Sequence, residues 1–182
     1  MVNKQKEDAN VVNVDSVLEF MGAWRILRIP KEAVKPLGLS GNSRRVVCSI
    51  NGSEPFQCAL FPVKKGDYFI TASKKLRDQL RIEDGDTVQI EITKDTSKYG
   101  LPMSAEFREV LRQDAESSKL FHAMTPGNQR LSIRLVDDSS DVDKRIHRAM
   151  TLLAYLKYTN GKFDYHQIAN ALKKTIPRFD VD

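Results

Sequence analysis

Residues 73–88 read SKKLRDQLRIEDGDTV, and a fainter copy of the same pattern, PKEAVKPLGLSG, occupies residues 30–41. Each copy predicts a short helix, an apolar anchor pair and a tight turn, followed by a strand. A duplicated β-α-β unit favours a small pseudo-symmetric barrel over a catalytic α/β sheet. Three residue pairs that match between the copies lie 43 positions apart: Lys31 and Lys74, Leu37 and Leu80, Leu39 and Ile82. The four apolar members of these pairs are expected in the core.

The sequence around the two copies predicts further short strands. Alternating or β-favouring residues occur at 14–20, 24–29, 45–50, 56–61 and 68–71, and Val88, Ile90 and Ile92 alternate with polar residues. About six strands with two short helices favour a small closed barrel, which leaves no strand edge open to aggregation.

Beyond Thr93 the sequence predicts a polar linker and then only helices. A cap at Ser104, a break at Thr125-Pro126-Gly127 and a long helix ending near Tyr158 are indicated. On the long helix the predicted buried stripe is Ile146, Met150, Leu153 and Leu156. The fold class is therefore α+β: a small closed β-barrel with an internal β-α-β repeat, followed by a C-terminal all-helical domain. The predicted boundaries are a flexible N-terminus at 1–12, the barrel at 13–94, a linker at 95–103 and the helical domain at 104–177.

The composition is typical of a soluble protein, with 41% hydrophobic and 29% charged residues among 182. No apolar run reaches the roughly 20 residues that span a bilayer, so we expect no membrane insertion. The polar first ten residues do not look like a signal peptide, and a cytoplasmic protein is expected. The net charge of +5 permits nucleic-acid or other anionic partners without requiring them.

The two cysteines, Cys48 and Cys58, flank the turn at residues 51–55. A hairpin symmetric about Ser53 would place the thiols opposite one another. The simpler interpretation is two small buried hydrophobes on neighbouring strands, and a metal pair or a redox switch is the alternative.

Motifs of catalysis and metal binding are missing from the sequence. There is no glycine-rich phosphate loop, no serine nucleophile elbow and no helical histidine pair at metal spacing. Helix N-terminal charge explains the acidic residues at 137–143 more simply than a cation site, because the run lacks the glycine and terminal glutamate of a calcium loop. We therefore predict no catalytic residues, no metal and no cofactor. The histidines, interpreted as ordinary surface or boundary residues, are His122, His147 and His166.

Several basic residues fall at turns and on the second short helix, where they could form a phosphate-binding patch if the pseudo-twofold brings them together. The alternative is a solvated barrel rim. Few aromatic residues interleave with these charges in the sequence, so stacking on single strands is not favoured. The candidate nucleic-acid-binding residues are Arg44, Arg45, Lys64, Lys65, Lys74, Lys75, Arg77 and Arg81.

Two further sets of residues resemble known families. Phe20, Ile29-Pro30, Ile50-Asn51-Gly52, Phe56, Gly66-Asp67-Tyr68, Lys75-Leu76-Arg77 and Gly85-Asp86-Thr87-Val88 resemble a bacterial family of unknown function that forms a double-split β-barrel. Ala105, Leu111, Phe121, the run 125–130 and Lys144-Arg145-Ile146 resemble the YdeI/OmpD-associated, or bacteriocin-protection, family. At 135–140 this chain has LVDDSS where many such relatives carry an aromatic-rich stretch ending in Ala-Lys. Gln129, Arg130, Lys144 and Arg145 are motif residues of unknown role.

The resemblance implies an architecture and little chemistry. The double-split barrel is also similar to transition-state-regulator DNA-binding domains, which build one barrel from two chains. The leading hypothesis is a non-enzymatic binding or regulatory protein that engages another macromolecule, with a link to bacteriocin protection or stress implied by the resemblance. The alternatives are DNA binding through the basic barrel rim, and an enzyme with a site between barrel and helices. The oligomeric state is left open, and a monomer is one of the states allowed.

Overall fold

The structure is a computed structural model, which describes residues 10–39, 44–63 and 66–173. The chain divides into two compact units, one within residues 1–100 and one within residues 101–182. The first is a nearly closed antiparallel β-barrel and the second is helical, so the predicted α+β class is confirmed. No helix in the described ranges is both long and apolar enough to cross a membrane.

Seven strands and two short helices make up the part of the barrel unit that the structure describes. Their bounds follow the alternation of apolar and polar residues, and β1 begins two residues earlier than predicted. The strands are β1 (Val12–Met21), β2 (Trp24–Ile29), β3 (Arg45–Ile50), β4 (Phe56–Ala59), β5 (Phe61–Pro62), β6 (Tyr68–Thr71) and β7 (Thr87–Lys94). The helices are α1 (Lys31–Val34), continued by a 3-10 turn at Lys35–Leu37, and α2 (Lys74–Leu80).

The sheet order, β4-β3-β7-β1-β2-β6-β5, brings the two edges of the sheet together. The edge strands β4 and β5 are consecutive in the chain, and only Leu60 separates them. The Leu60 side chain is buried in the core, and its backbone N–H donates to the carbonyl of Arg44 at 2.8 Å. The predicted single strand at 56–61 is thus two strands, because the chain bends at Leu60 to close the barrel.

The internal repeat has a pseudo-twofold arrangement. The matching strands β2 and β6 pair antiparallel with each other, and so do β3 and β7. Leu27 and Ile70, 43 positions apart like the matching residues of the repeat, lie directly opposite one another in the first of these ladders. One chain therefore supplies both halves of the barrel.

The barrel core is formed by the inward residues of these strands together with the helix anchors. Leu37 and Ile82 are buried in it, as predicted. Leu39 and Leu80 are only partly buried and pack against it, because each lies beside the end of a short helix at the barrel surface.

Five helices form the second unit between residues 101 and 173, where the structure describes it. Each is preceded by a capping side chain that accepts a hydrogen bond from a backbone N–H of the first turn. In chain order, the capping residues are Ser104, Asp114, Thr125, Asp141 and Asp164. The helices are α3 (Ala105–Gln113), α4 (Ala115–Ala123), α5 (Pro126–Asp137), α6 (Val142–Tyr158) and α7 (Tyr165–Ala171). The predicted break at residues 125–127 is shorter than expected, because Pro126 occupies the first turn of α5, where its missing N–H costs nothing.

The buried stripe of α6 differs from the prediction at two positions. Leu153 and Leu156 are buried, but Met150 is 59% exposed and Ile146 is half-buried. Ala149 and Leu152 take the core positions instead. Met150 therefore lies on the outward side of α6.

Candidate functional site

The barrel has a small cavity whose charged lining is entirely basic. Its volume is about 350 Å³, and among the described residues no carboxylate lines it. The lining residues are Ala23, Trp24, Arg25, Thr71, Ala72, Ser73, Lys74 and Arg77. Lys74 and Arg77 belong to the predicted basic set, whereas Trp24 and Arg25 do not.

The pairing of β2 with β6 assembles this cavity from two distant segments. Ile26 lies opposite Thr71, so the start of β2 is beside the end of β6, where α2 begins. The backbone N–H of Ala72 extends the ladder by donating to the carbonyl of Arg25 at 2.9 Å. Residues about 50 positions apart in the sequence, Trp24 and Lys74, therefore line the same space.

Arg25 is held rigidly at the edge of the cavity. Its Nε and Nη2 atoms each donate to a carboxylate oxygen of Asp84 at 3.2 Å. Its guanidinium carbon lies 3.8 Å from the ring centroid of Phe20, on the neighbouring strand. This bidentate, stacked arrangement fixes a planar cationic group beside Trp24.

Lys74 and Arg77 supply the remaining positive charge. The Lys74 side chain is exposed, and Arg77 is half-buried with an Nε that is enclosed and has no hydrogen-bond partner among the described residues. Lysine and arginine placed in this way can neutralise phosphate groups.

Of the other predicted basic residues, those within the described ranges do not line this cavity. Arg45 donates to the carbonyl of Gly100 and lies 4.0 Å from the Asp95 carboxylate, with its side chain 15% exposed. Arg44 is half-buried, Lys75 and Arg81 are exposed on and after α2, and Lys64 and Lys65 lie outside the described residues.

Two of the helical motif residues have structural contacts. The Gln129 amide donates to the carbonyls of His122 and Met124, each at 3.1 Å, and so satisfies the end of α4 from the start of α5. Arg145 forms a bidentate pair with Glu106 and donates to the Ser139 carbonyl. Lys144 is exposed and Arg130 is half-buried.

The ion pair with Arg145 lowers the pKa of the Glu106 carboxyl group on α3. The hydrogen bond from Arg145 is the largest cause that lowers the pKa of Glu106 from 4.5 to about 2. The pair links α3 to α6 and is part of the packing of the helical unit.

The two cysteines are in contact, although they are not directly opposite. Cys48 faces Phe56 and Cys58 faces Val46, so the hairpin is centred on Gly52 rather than on Ser53. The Sγ atoms of Cys48 and Cys58 lie 3.4 Å apart, within the distance of a thiol hydrogen bond, and both thiols are free. This hydrogen bond, followed by burial, raises the pKa of Cys48 far above its usual range, as expected for an unreactive core thiol.

A second, larger space lies on the helical unit between α3 and α6. It has a volume of about 650 Å³ and an apolar floor that includes Val110, Ile146 and Met150. Its rim carries Glu109, Asp114 and Lys157, and the last two pair with each other at 2.8 Å.

The acidic run at 137–143 contributes a helix cap. Asp141 accepts from the backbone N–H of Lys144 at 3.0 Å. In the described part of the chain, no group of three or more His, Cys, Asp or Glu side chains is placed to hold a metal ion.

The comparisons with known proteins bear on the barrel. Residues 8–92 match a protein-family model described as a domain of unknown function, DUF1905. No curated protein and no solved structure matches the chain. The resemblance of the helical half to the YdeI/OmpD-associated family stays a prediction.

Proposed function

We propose that this chain is a non-enzymatic binding protein that engages nucleic acid through the basic cavity of its barrel. The observation that supports this most directly is the set of charged residues lining the cavity, Arg25, Lys74 and Arg77, with no carboxylate among its described lining. A ligand that carries repeated negative charge is the chemistry that such a lining favours.

Two further observations support an anionic macromolecule as the ligand. The chain carries a net charge of +5, so long-range attraction adds to the local contacts. Lys75 and Arg81 are exposed on and immediately after α2, the helix that contributes Lys74 and Arg77, and they extend the positive surface beyond the cavity.

The regulatory role, the link to bacteriocin protection or stress and the cytoplasmic location rest on the resemblance and the composition. They stay predictions alongside nucleic-acid binding.

The test is the salt dependence of nucleic-acid binding by the purified full chain, measured by fluorescence anisotropy with labelled oligonucleotides. We expect binding at low salt that weakens steeply as salt rises, because bound counterions are released from the phosphates. Lys74→Glu should weaken binding and reduce the slope of log K against log salt by about 1.

The internal repeat provides a matched control. Lys31 is the counterpart of Lys74 in the other copy and is also exposed at the start of a short helix. Lys31→Glu makes the same change in net charge away from the cavity, so it should have a much smaller effect. Equal losses from both variants, or no binding to any oligonucleotide at low salt, would contradict the proposal.

A further inference from the structure

We infer that the ligand of the basic cavity is single-stranded nucleic acid, with one base stacked on the indole of Trp24 and its phosphate at Lys74 and Arg77. The inference rests on the proposed function and names its substrate class. The sequence did not favour stacking on single strands, because few aromatic residues lie between the basic ones along the chain. In the fold, Trp24 lines the same cavity as Lys74 and Arg77.

Trp24 presents an unused aromatic surface. Its side chain is 58% exposed and lines the cavity. Phe20 is 57% exposed as well, but Arg25 covers one face of its ring, whereas no described ring stacks on Trp24. Exposed aromatic rings beside cationic side chains are the recurring elements of single-strand binding sites.

The support beneath Trp24 is preorganised. The two-residue turn from Met21 to Trp24 begins with Gly22 at φ 64°, a conformation that glycine adopts without strain. Arg25 is clamped between Asp84 and Phe20, which fixes the strand at the position next to Trp24. A platform held this way loses little entropy when a base stacks on it.

The basic side chains have different roles toward the base and the phosphate. Asp84 compensates the charge of Arg25, so Arg25 acts mainly as a planar wall. Lys74 and Arg77 have no ion pair among the described residues, and they are the groups that would meet phosphate.

The exposed ring of Trp24 favours a single strand over a duplex. The space beside it, about 350 Å³, has room for one base. In a duplex the faces of the bases are stacked on each other, and only phosphates and groove edges are presented. A single strand offers both an open base face and a flexible phosphate.

The positions related to this cluster by the pseudo-twofold, 43 residues away in each case, carry different residues apart from one lysine. The counterpart of Trp24 there is Asp67, whose carboxylate accepts from the backbone N–H of Lys31 at 3.0 Å. The counterpart of Arg77 is Val34, which is buried in the core. The lysine is common to both copies, but the aromatic ring and the arginine occur only at the cavity.

The experiment uses the fact that Trp24 is the only tryptophan in the chain. The full chain is titrated with oligonucleotides of about 12 nucleotides at low salt, and tryptophan fluorescence and anisotropy are recorded. The four probes are single-stranded DNA, single-stranded RNA, duplex DNA of the same sequence, and an abasic strand that keeps the phosphates but lacks the bases.

Stacking predicts that both base-bearing single strands, or one of them, quench Trp24 fluorescence, while the abasic strand does not and binds roughly 10-fold more weakly. Trp24→Leu should reduce single-strand affinity by a similar factor without changing the salt slope, and Trp24→Tyr should restore part of it. Circular dichroism establishes that each variant is folded. A difference between the DNA and RNA arms identifies which strand is preferred.

The outcomes separate the two proposals. If no probe binds, the proposed function itself is wrong. If the duplex and abasic probes bind as tightly as the single strands, Trp24 fluorescence is unchanged and Lys74→Glu still weakens binding, then nucleic-acid binding stands and the single-strand inference is overturned.

Discussion

Gly38 and Arg81 occupy the same place in the two copies of the repeat, at the end of each short helix. Both have a left-handed backbone, with φ of 55° and 53°. Glycine adopts this conformation freely, whereas the Cβ of arginine makes it costly. The second copy therefore carries backbone strain that the first does not.

Arg81→Gly should relieve this strain and stabilise the protein by about 0.5–1 kcal/mol, which urea unfolding can measure. The matched control is Gly38→Ala, which should destabilise by about 1 kcal/mol, because its space is open and only the backbone conformation opposes a Cβ. A loss of stability in Arg81→Gly would mean that the arginine side chain contributes more than its backbone costs.

At the scale of the elements, ion pairs join α6 to α3 and to the start of α4. Arg145 on α6 pairs with Glu106 on α3, and Lys157 at the other end of α6 lies 2.8 Å from Asp114, the cap of α4. The hydrogen bond from Lys157 is the largest cause that lowers the pKa of Asp114 from 3.8 to about 2. Both carboxyl groups thus bind protons less readily when folded than when unfolded.

The helical unit should therefore lose stability in acid. A lowered folded-state pKa gives stability that is present above the ordinary value of 4.5 for Glu106 and is lost as the pH falls toward about 2. Glu106→Gln should lower the urea midpoint at neutral pH, and its difference from the parent should shrink across this window.

Far-ultraviolet circular dichroism is the suitable readout, because helices contribute most of the signal. Glu54→Gln, at an exposed turn of the barrel, is the control and should leave the midpoint nearly unchanged. A Glu106→Gln deficit that persists undiminished at low pH would contradict the assigned role of the pair.

At the scale of the whole molecule, the barrel depends on the junction at Leu60. This residue joins the two edge strands, and its side chain is only 2% exposed. Its N–H bond to Arg44 connects the junction to the start of β3. Leu60 therefore contributes both to the packing of the core and to the closure of the sheet.

Leu60→Ala should destabilise the barrel by about 2–5 kcal/mol, because it removes buried methyl groups and leaves a cavity at the closure point. Trp24 fluorescence during urea unfolding reports on the barrel. Val17→Ala, at a side chain that faces outward from β1, should cost less than about 1 kcal/mol. Similar costs at the two positions would show that Leu60 has no special part in closure.

Much of the fold follows from local patterns in the sequence. The 43-residue repeat, the period-2 alternation of β7 and the caps at Ser104, Asp114 and Asp164 are each set by residues close together in the chain. Local propensity and hydrogen bonding within one turn or strand are enough to specify such elements. The prediction of one strand at 56–61 and the prediction of a buried Met150 were wrong. The division of that strand at Leu60 and the choice of which α6 residues face the core are tertiary effects.

The candidate site lies beyond what local patterns determine. The sequence by itself supplied Lys74 and Arg77 but separated them from Trp24, Arg25 and Phe20 by about 50 positions. Only the antiparallel pairing of β2 with β6 brings Lys74 and Arg77 to the same cavity as Trp24 and Arg25. Arg45 turns instead to Gly100 and Asp95. The sequence determined a duplicated barrel because each copy encodes its own turn, helix and strand. The tertiary structure decided which charges meet an aromatic ring, because that depends on how the two copies pair.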